Sequence, residues 1–254
     1  MSGLMTRTWP RPAPLTRATS IAPSLLTVVE NVLSAAWRVL LDEVNAGRFS
    51  ICKAKEDEIT EQLHLILGEF HAADQEVVPG LSSFETSVRE GNLRSYDGKH
   101  LDRQPDLAFR PLRGVITTTN TALTGIFIEC KPIDSKHPVP STYCKEGLIR
   151  FVRGDYAWAV DHALMVGYVR NDCLLPDGLA PCIDDDLIGQ EYRSQGSLIT
   201  LAPTILGDVV YQSTHERDFF LASPHETAGP ITLHHLWLHP TTPCETSKCR
   251  GRNK

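Results

Sequence analysis

Apolar residues recur every three to four positions through Leu25, Val28, Val29, Val32, Leu33, Ala36, Val39, Leu40 and Val44. That period predicts an amphipathic helix from about Pro23 to Ala46, stopped by Gly47. A second stripe, Ile59, Leu63, Ile66, Leu67 and Phe70, predicts a helix from Lys55 to Ala72; Glu56 lies on this stripe, while Glu58 and Glu61 lie off it. The pattern then shifts to short β-like runs. Phe84 to Arg89 and Leu107 to Phe109 read as strands, separated by the Gly- and charge-rich stretch EGNLRSYDGKHLDRQ. Arg113 to Thr124 reads either as a hairpin or as a strand continuation. It leads into the apolar run GIFIECK, where Gly125 to Ile128 predicts a buried strand. Period-2 alternation then puts Glu129 and Lys131 on one face and Cys130 on the other.

Pro132, Pro138 and Pro140 keep the chain irregular until a helix opens near Ser141 or Thr142. On that helix Gly147 and Gly154 leave room for another part of the chain to approach closely. A break near His162 precedes a strand from Ala163 to Val169. In the C-terminal third, Asp184, Asp185 and Asp186 read as a solvated turn, and the segments from Gln212 to Arg217 and from Ile231 to His239 predict strands added to one sheet edge. Alternate positions of the last strand, which carries His234 and His235, are expected to be buried. His215 and Arg217 have two open readings: hydrogen-bonded structural residues, or contacts to nucleic acid or a partner.

A chain of 254 residues with 41% hydrophobic content is long enough for one domain with a sizeable core. The division expected is a flexible Pro-rich tail over 1–20, a single domain over 21–240 and a flexible tail over 241–254. The first 29 residues hold three arginines, four prolines and no acid, which reads as Pro-rich disorder in preference to a targeting peptide. No apolar stretch is read as approaching the roughly 20 residues that span a bilayer. Cytoplasmic location without a membrane partner is the expectation. The seven cysteines form no CxxC pair, so reduced thiols are expected in place of a disulfide framework.

The net charge of −6 is unevenly spread. Residues 1–85 carry 7 basic and 11 acidic side chains, residues 86–153 carry 11 and 7, and residues 154–254 carry 7 and 13. Only the middle segment is positive, and a positive surround to acidic residues is an arrangement that attracts a phosphate backbone.

That middle segment also holds the candidate chemistry. Pro105-Asp106 opens the second predicted strand, and Glu129-Cys130-Lys131 closes the third. Asp106 joins Glu129 and Lys131 if their strands pair side by side. Mg²⁺ is commonly held by one or two carboxylates, with water and substrate phosphate completing the shell. A neighbouring lysine can orient or help deprotonate the attacking water, or neutralise charge on the phosphorane.

Pro-Asp followed after about twenty residues by Glu-x-Lys resembles the PD-(D/E)XK nuclease superfamily, which includes restriction endonucleases and repair nucleases. The order of predicted elements over about 54–170 is similar to that superfamily's αβββαβ core. The resemblance implies an α/β, restriction-endonuclease-like fold: a mixed central sheet flanked by helices, here with an extra N-terminal helix and C-terminal strands. It implies a nuclease hydrolysing DNA phosphodiesters, with RNA left open, and a role in restriction or anti-phage defence. Asp106 and Glu129 would hold Mg²⁺ or Mn²⁺ and Lys131 would assist the attack. Glu56 would be the helix glutamate that reaches the site, with Glu58 the fallback if the helix is rotated. Lys145 and Arg150, on the following helix, are candidates for nucleic-acid contact, although the Gln-x-x-x-Tyr signature of one branch is absent.

Two other readings stay open. One keeps the fold without the chemistry, giving an interaction subunit; the apolar N-terminal helix would then pack on a partner chain or a second copy, such as a defence-system protein or a homodimer. The other is a zinc module built from His234, His235, His239, Cys244 and Cys249, whose spacing matches no common finger.

Overall fold

The computed structural model describes residues 18–118, 120–184, 186–221 and 227–246, with the backbone alone at 186–188. Helix α1 spans Pro23–Asn45, with proline in its first turn, and Gly47 takes a left-handed φ of +72° just beyond its end. Helix α2 spans Glu56–Ala72 and opens on Glu56, Asp57 and Glu58, whose charges suit a helix N-terminus.

Length and hydropathy alone would qualify α1 as a membrane span, which corrects the expectation that no stretch comes near that length. Its buried face is used within this chain. Leu33, Trp37 and Leu40 are fully buried, Trp37 stacks on Tyr168 at 5.9 Å, and Trp37 Nε1 donates to the His239 carbonyl at 2.7 Å. Two buried polar residues also tie α1 to the rest of the fold: Glu30 pairs with His234 at 2.5 Å, and Ser34 meets the Thr204 hydroxyl at 3.1 Å. The apolar face that suggested a partner chain is therefore covered by α2 and the sheet.

The protein is α/β, built on a seven-stranded mixed sheet flanked by helices. The strands are β1 (Val88–Arg89), β2 (Leu107–Phe109), β3 (Ile126–Ile133), β4 (His162–Val169), β5 (Ile199–Thr200), β6 (Val210–His215) and β7 (Ile231–Leu238), in the spatial order β1-β2-β3-β4-β7-β6-β5. β1, β2 and β3 form an antiparallel meander; β3, β4 and β7 run parallel; β6 and β5 extend the far side antiparallel. β3 is buried along its whole length, and β4 along all but His162, as expected for parallel strands covered on both faces.

Between β3 and β4 the chain forms a π-helix over Val139–Leu148, continued by the short helix α3 (Ile149–Arg153). It opens slightly before the predicted Ser141. After β4 come α4 (Leu175–Ile183) and α5 (Asp186–Glu191), so Asp184 caps a helix in what was expected to be a plain turn, and Asp185 lies outside the described residues.

Other local expectations are corrected. Phe84 to Arg89 is a strand only at Val88–Arg89; Phe84 makes an isolated bridge to Pro111 in a register one residue out of step with the Val88–Ala108 and Arg89–Leu107 pairs, so the ladder is broken between them. The described residues of 113–124 form neither hairpin nor strand. They hold a tight turn at Gly114, φ +95°, and a 3₁₀ turn over Thr121–Leu123. His234 and His235 are both buried, because β7 lies inside the sheet with layers on either side.

His215 and Arg217 are structural. His215 Nδ1 meets the Tyr192 carbonyl at 2.7 Å, and Ser213 Oγ lies 2.7 Å from both His215 Nε2 and His235 Nε2. The Arg217 guanidinium donates to several backbone carbonyls, including Gly229 at 2.8 Å and Ala228 at 3.0 Å.

The expected reduced thiols are overturned at Cys52 and Cys244, which form a disulfide across 192 residues of sequence. Cys173 is also disulfide-bonded, while Cys130, Cys144 and Cys182 are buried. Pairing so distant is set by the fold and leaves no local spacing signal. The bridge also removes Cys244 from any zinc site, and Cys249 lies outside the described residues. Residues 241–246, expected to be a flexible tail, are anchored: the Cys244 N–H donates to the Arg170 carbonyl at 2.7 Å, and the Glu245 carboxylate accepts from Ser135 N at 2.6 Å. At the other end, Thr19 is held to Ala159 by a 2.7 Å backbone hydrogen bond, and residues 1–17 of the expected tail lie outside the described residues.

Candidate functional site

β2 and β3 pair from Phe109–Ile126 to Leu107–Ile128, and there the pairing stops. β3 continues through Ile133 with β4 on one side and, among the described residues, no strand on the other. Asp106 sits at the break. Its Oδ2 accepts the Cys130 backbone N–H at 2.6 Å, satisfying a donor that would otherwise be left without a ladder partner.

Glu129 and Lys131 point to the same side of β3, as alternation requires, and touch at 2.9 Å. Glu129 is fully buried. Its Oε1 accepts from Lys131 Nζ and from Arg150 Nη1, each at 2.9 Å, and its Oε2 accepts from the Tyr156 hydroxyl. Lys131 Nζ also reaches Glu56 Oε1 at 2.7 Å. Glu56 stands on the first turn of α2 and comes in along the unpaired edge of β3. Glu58 does not enter; its carboxylate accepts the Lys55 backbone N–H at 2.6 Å and caps α2. Gly147 of the π-helix lies directly over the pair. A Cβ there would stand 3.3 Å from Lys131 Cγ and 3.5 Å from Glu129 Cγ.

Burial and mutual charge set the protonation of this group. Burial pushes Asp106 up to about 8, and the neighbouring Glu129 adds to the rise. Burial also raises Glu56, although Lys131 pulls the other way. For Lys131, burial favours the neutral amine, but Glu129, Asp106 and Glu56 together outweigh it and hold the ammonium above its ordinary range. Burial and the Glu129 carboxylate push the Tyr156 hydroxyl well up, so it stays a donor.

Three carboxyls therefore face two cations, Lys131 and Arg150, and Asp106 keeps its proton near neutrality first because it is buried and then because the Glu129 charge stands beside it. Among the described residues no group of three or more His, Cys, Asp or Glu side chains closes on one point as a ready-made metal cage. A hard cation that shares its shell with water and phosphate does not need one. The all-oxygen donor set and the excess carboxyl fit such an ion, with Asp106 and Glu129 as the residues that would hold it.

Of the residues singled out in the sequence, the structure brings together Asp106, Glu129, Lys131 and Glu56, and adds Arg150. It does not bring in Lys145, whose ammonium faces Glu191 at 3.6 Å. Tyr156 was missed. It lies within a turn bounded by Gly154 and Ala157, whose φ are +72° and +54°, and only Gly154 announces that turn in the sequence.

No protein-family model, curated protein or solved structure matches this chain.

Proposed function

We propose that the protein is a metal-dependent nuclease of the PD-(D/E)XK kind, hydrolysing phosphodiesters of DNA. The observation that carries the reading is the convergence of Asp106, Glu129, Lys131 and Glu56 where β2 stops and β3 runs on. Element order supports it as well: α2, the antiparallel β1-β2-β3 meander, a helical crossing and then β4 parallel to β3 follow the αβββαβ order of that superfamily.

A divalent cation held by Asp106 and Glu129 would polarise a phosphoryl oxygen and acidify a bound water. Lys131, kept charged by three carboxyls, is suited to stabilise negative charge building on the phosphorane and ill suited to take a proton from water. Glu56 holds the Lys131 ammonium in place from the open side. Tyr156 fixes the orientation of Glu129 from within the core. Restriction or anti-phage defence is the setting this reading implies. A cytoplasmic location would require the Cys52–Cys244 bridge to withstand reducing conditions.

One observation favours a second reading, a nuclease-like subunit without activity: both oxygens of Glu129 are already taken by protein donors. Cleavage of supercoiled plasmid and short single-stranded DNA with Mg²⁺ or Mn²⁺ separates the two. The nuclease reading expects cutting by the wild type that Lys131→Ala and Asp106→Ala both abolish. A wild type that leaves both substrates intact, or cutting that survives Lys131→Ala, would shift the assignment to the inactive subunit.

A further inference from the structure

Resting on the metal-nuclease reading of this cluster, we infer that Arg150 is an internal counter-ion which a divalent cation displaces from Glu129, releasing the guanidinium to the substrate phosphate. The three donors on Glu129 are not equivalent. Tyr156 is buried, and Lys131, with a side chain only 7% exposed, is tied to Glu56 as well as to Glu129. The Arg150 side chain is 40% exposed and sits on the five-residue helix α3, so it has a path outward that the other two lack.

Arg150 and Lys131 share Glu129 Oε1, leaving Oε2 to Tyr156. A cation binding at Oε1 would meet both the guanidinium and the ammonium, each 2.9 Å from the same oxygen, and a third positive charge crowded onto that oxygen favours the departure of one of the two. Lys131 cannot yield without also leaving Glu56 without its cation. Arg150 can yield, and its planar fork is well suited to grip phosphate oxygens in pairs. In the metal-free protein Arg150 keeps the buried Glu129 neutralised; with metal and substrate present the same charge would serve the substrate.

The test is Mn²⁺ binding to the full chain without DNA, by titration calorimetry, for the wild type, Arg150→Ala and Arg150→Lys. Removing a charge-assisted competitor should tighten Mn²⁺ binding by about tenfold to a hundredfold in Arg150→Ala while slowing plasmid cleavage, with Arg150→Lys between the two. A purely structural role predicts the opposite sign for the metal, since a damaged site binds more weakly. Arg150→Gln, which keeps a donor toward Glu129 without the charge, makes the same comparison if the alanine variant does not fold. Equal or weaker Mn²⁺ binding in the uncharged variants, with the wild type still cleaving DNA, overturns the exchange and leaves the nuclease reading standing. A wild type that neither binds Mn²⁺ nor cleaves overturns both.

Discussion

Asp106 is raised to about 8 first by loss of water and then by the charge of Glu129, so the metal-free folded chain holds a proton there that the unfolded chain releases near 3.8. Folding takes up that proton between about pH 4 and 8, and stability falls as pH rises across the window. Asp106→Asn is neutral throughout. Thermal melts of both proteins in metal-free buffer should show a downward slope with pH in the wild type and a flatter one in the variant. Identical slopes would mean that the cluster keeps its proton elsewhere. A bound cation competes with the same proton, so metal affinity should climb as pH approaches 8. The four clustered residues were legible in the sequence because strand alternation fixes Glu129 with Lys131 and a helical stripe fixes Glu56, both local properties. Tyr156 and the Arg150 contact were not, since Tyr156 depends on how the turn at Gly154 aims the chain after α3, and the Arg150 contact on where α3 itself settles beside β3.

At the scale of elements, the π-helix covers the site through a glycine. A Cβ at Gly147 would lie 2.8 Å from the movable Met165 Cε, so Gly147→Ala is tolerated after a small shift of that methyl. Gly147→Val has no such outlet and presses on Glu129 and Lys131; it should cost about 1–3 kcal/mol of stability by overpacking. Cleavage by the folded fraction should fall about tenfold or more, because small displacements of reacting groups are costly. Chemical denaturation paired with plasmid assays would separate the two losses, and a stable variant with full activity would show that the lid over the pair is not tight. The long periodic elements, α1, α2, β3, β4 and β7, were legible because each carries a repeated burial pattern of its own. β1 and residues 113–124 were not. Their shapes are imposed by the register slip between Phe84 and Val88, by the turn at Gly114 and by contacts distant in sequence.

For the whole molecule, the Cys52–Cys244 bridge fastens the connection before α2 to the segment after β7. Arg170 belongs to the same knot: its guanidinium donates to the Ala54 carbonyl at 2.5 Å and pairs with Asp134 at 3.2 Å, while its own carbonyl accepts from Cys244 and Glu245. Closing so long a loop constrains the unfolded chain heavily. Cys52→Ser should therefore cost about 3–5 kcal/mol and lower the melting temperature by roughly 10 °C, with a drop at least as large when the wild type is melted in reductant, which also opens the Cys173 disulfide. A melting temperature unmoved by either change would mean that the knot holds without its covalent link. The early end of β2 has a different kind of consequence. Two more residues of pairing would set Asp106 opposite Glu129 on the same face, but they would hand the Cys130 N–H from the Asp106 carboxylate to a backbone carbonyl and close the edge through which Glu56 reaches Lys131. Stability and chemistry compete here for the same few ångströms of backbone, so variants selected only for heat resistance are expected to lengthen this strand and lose the site.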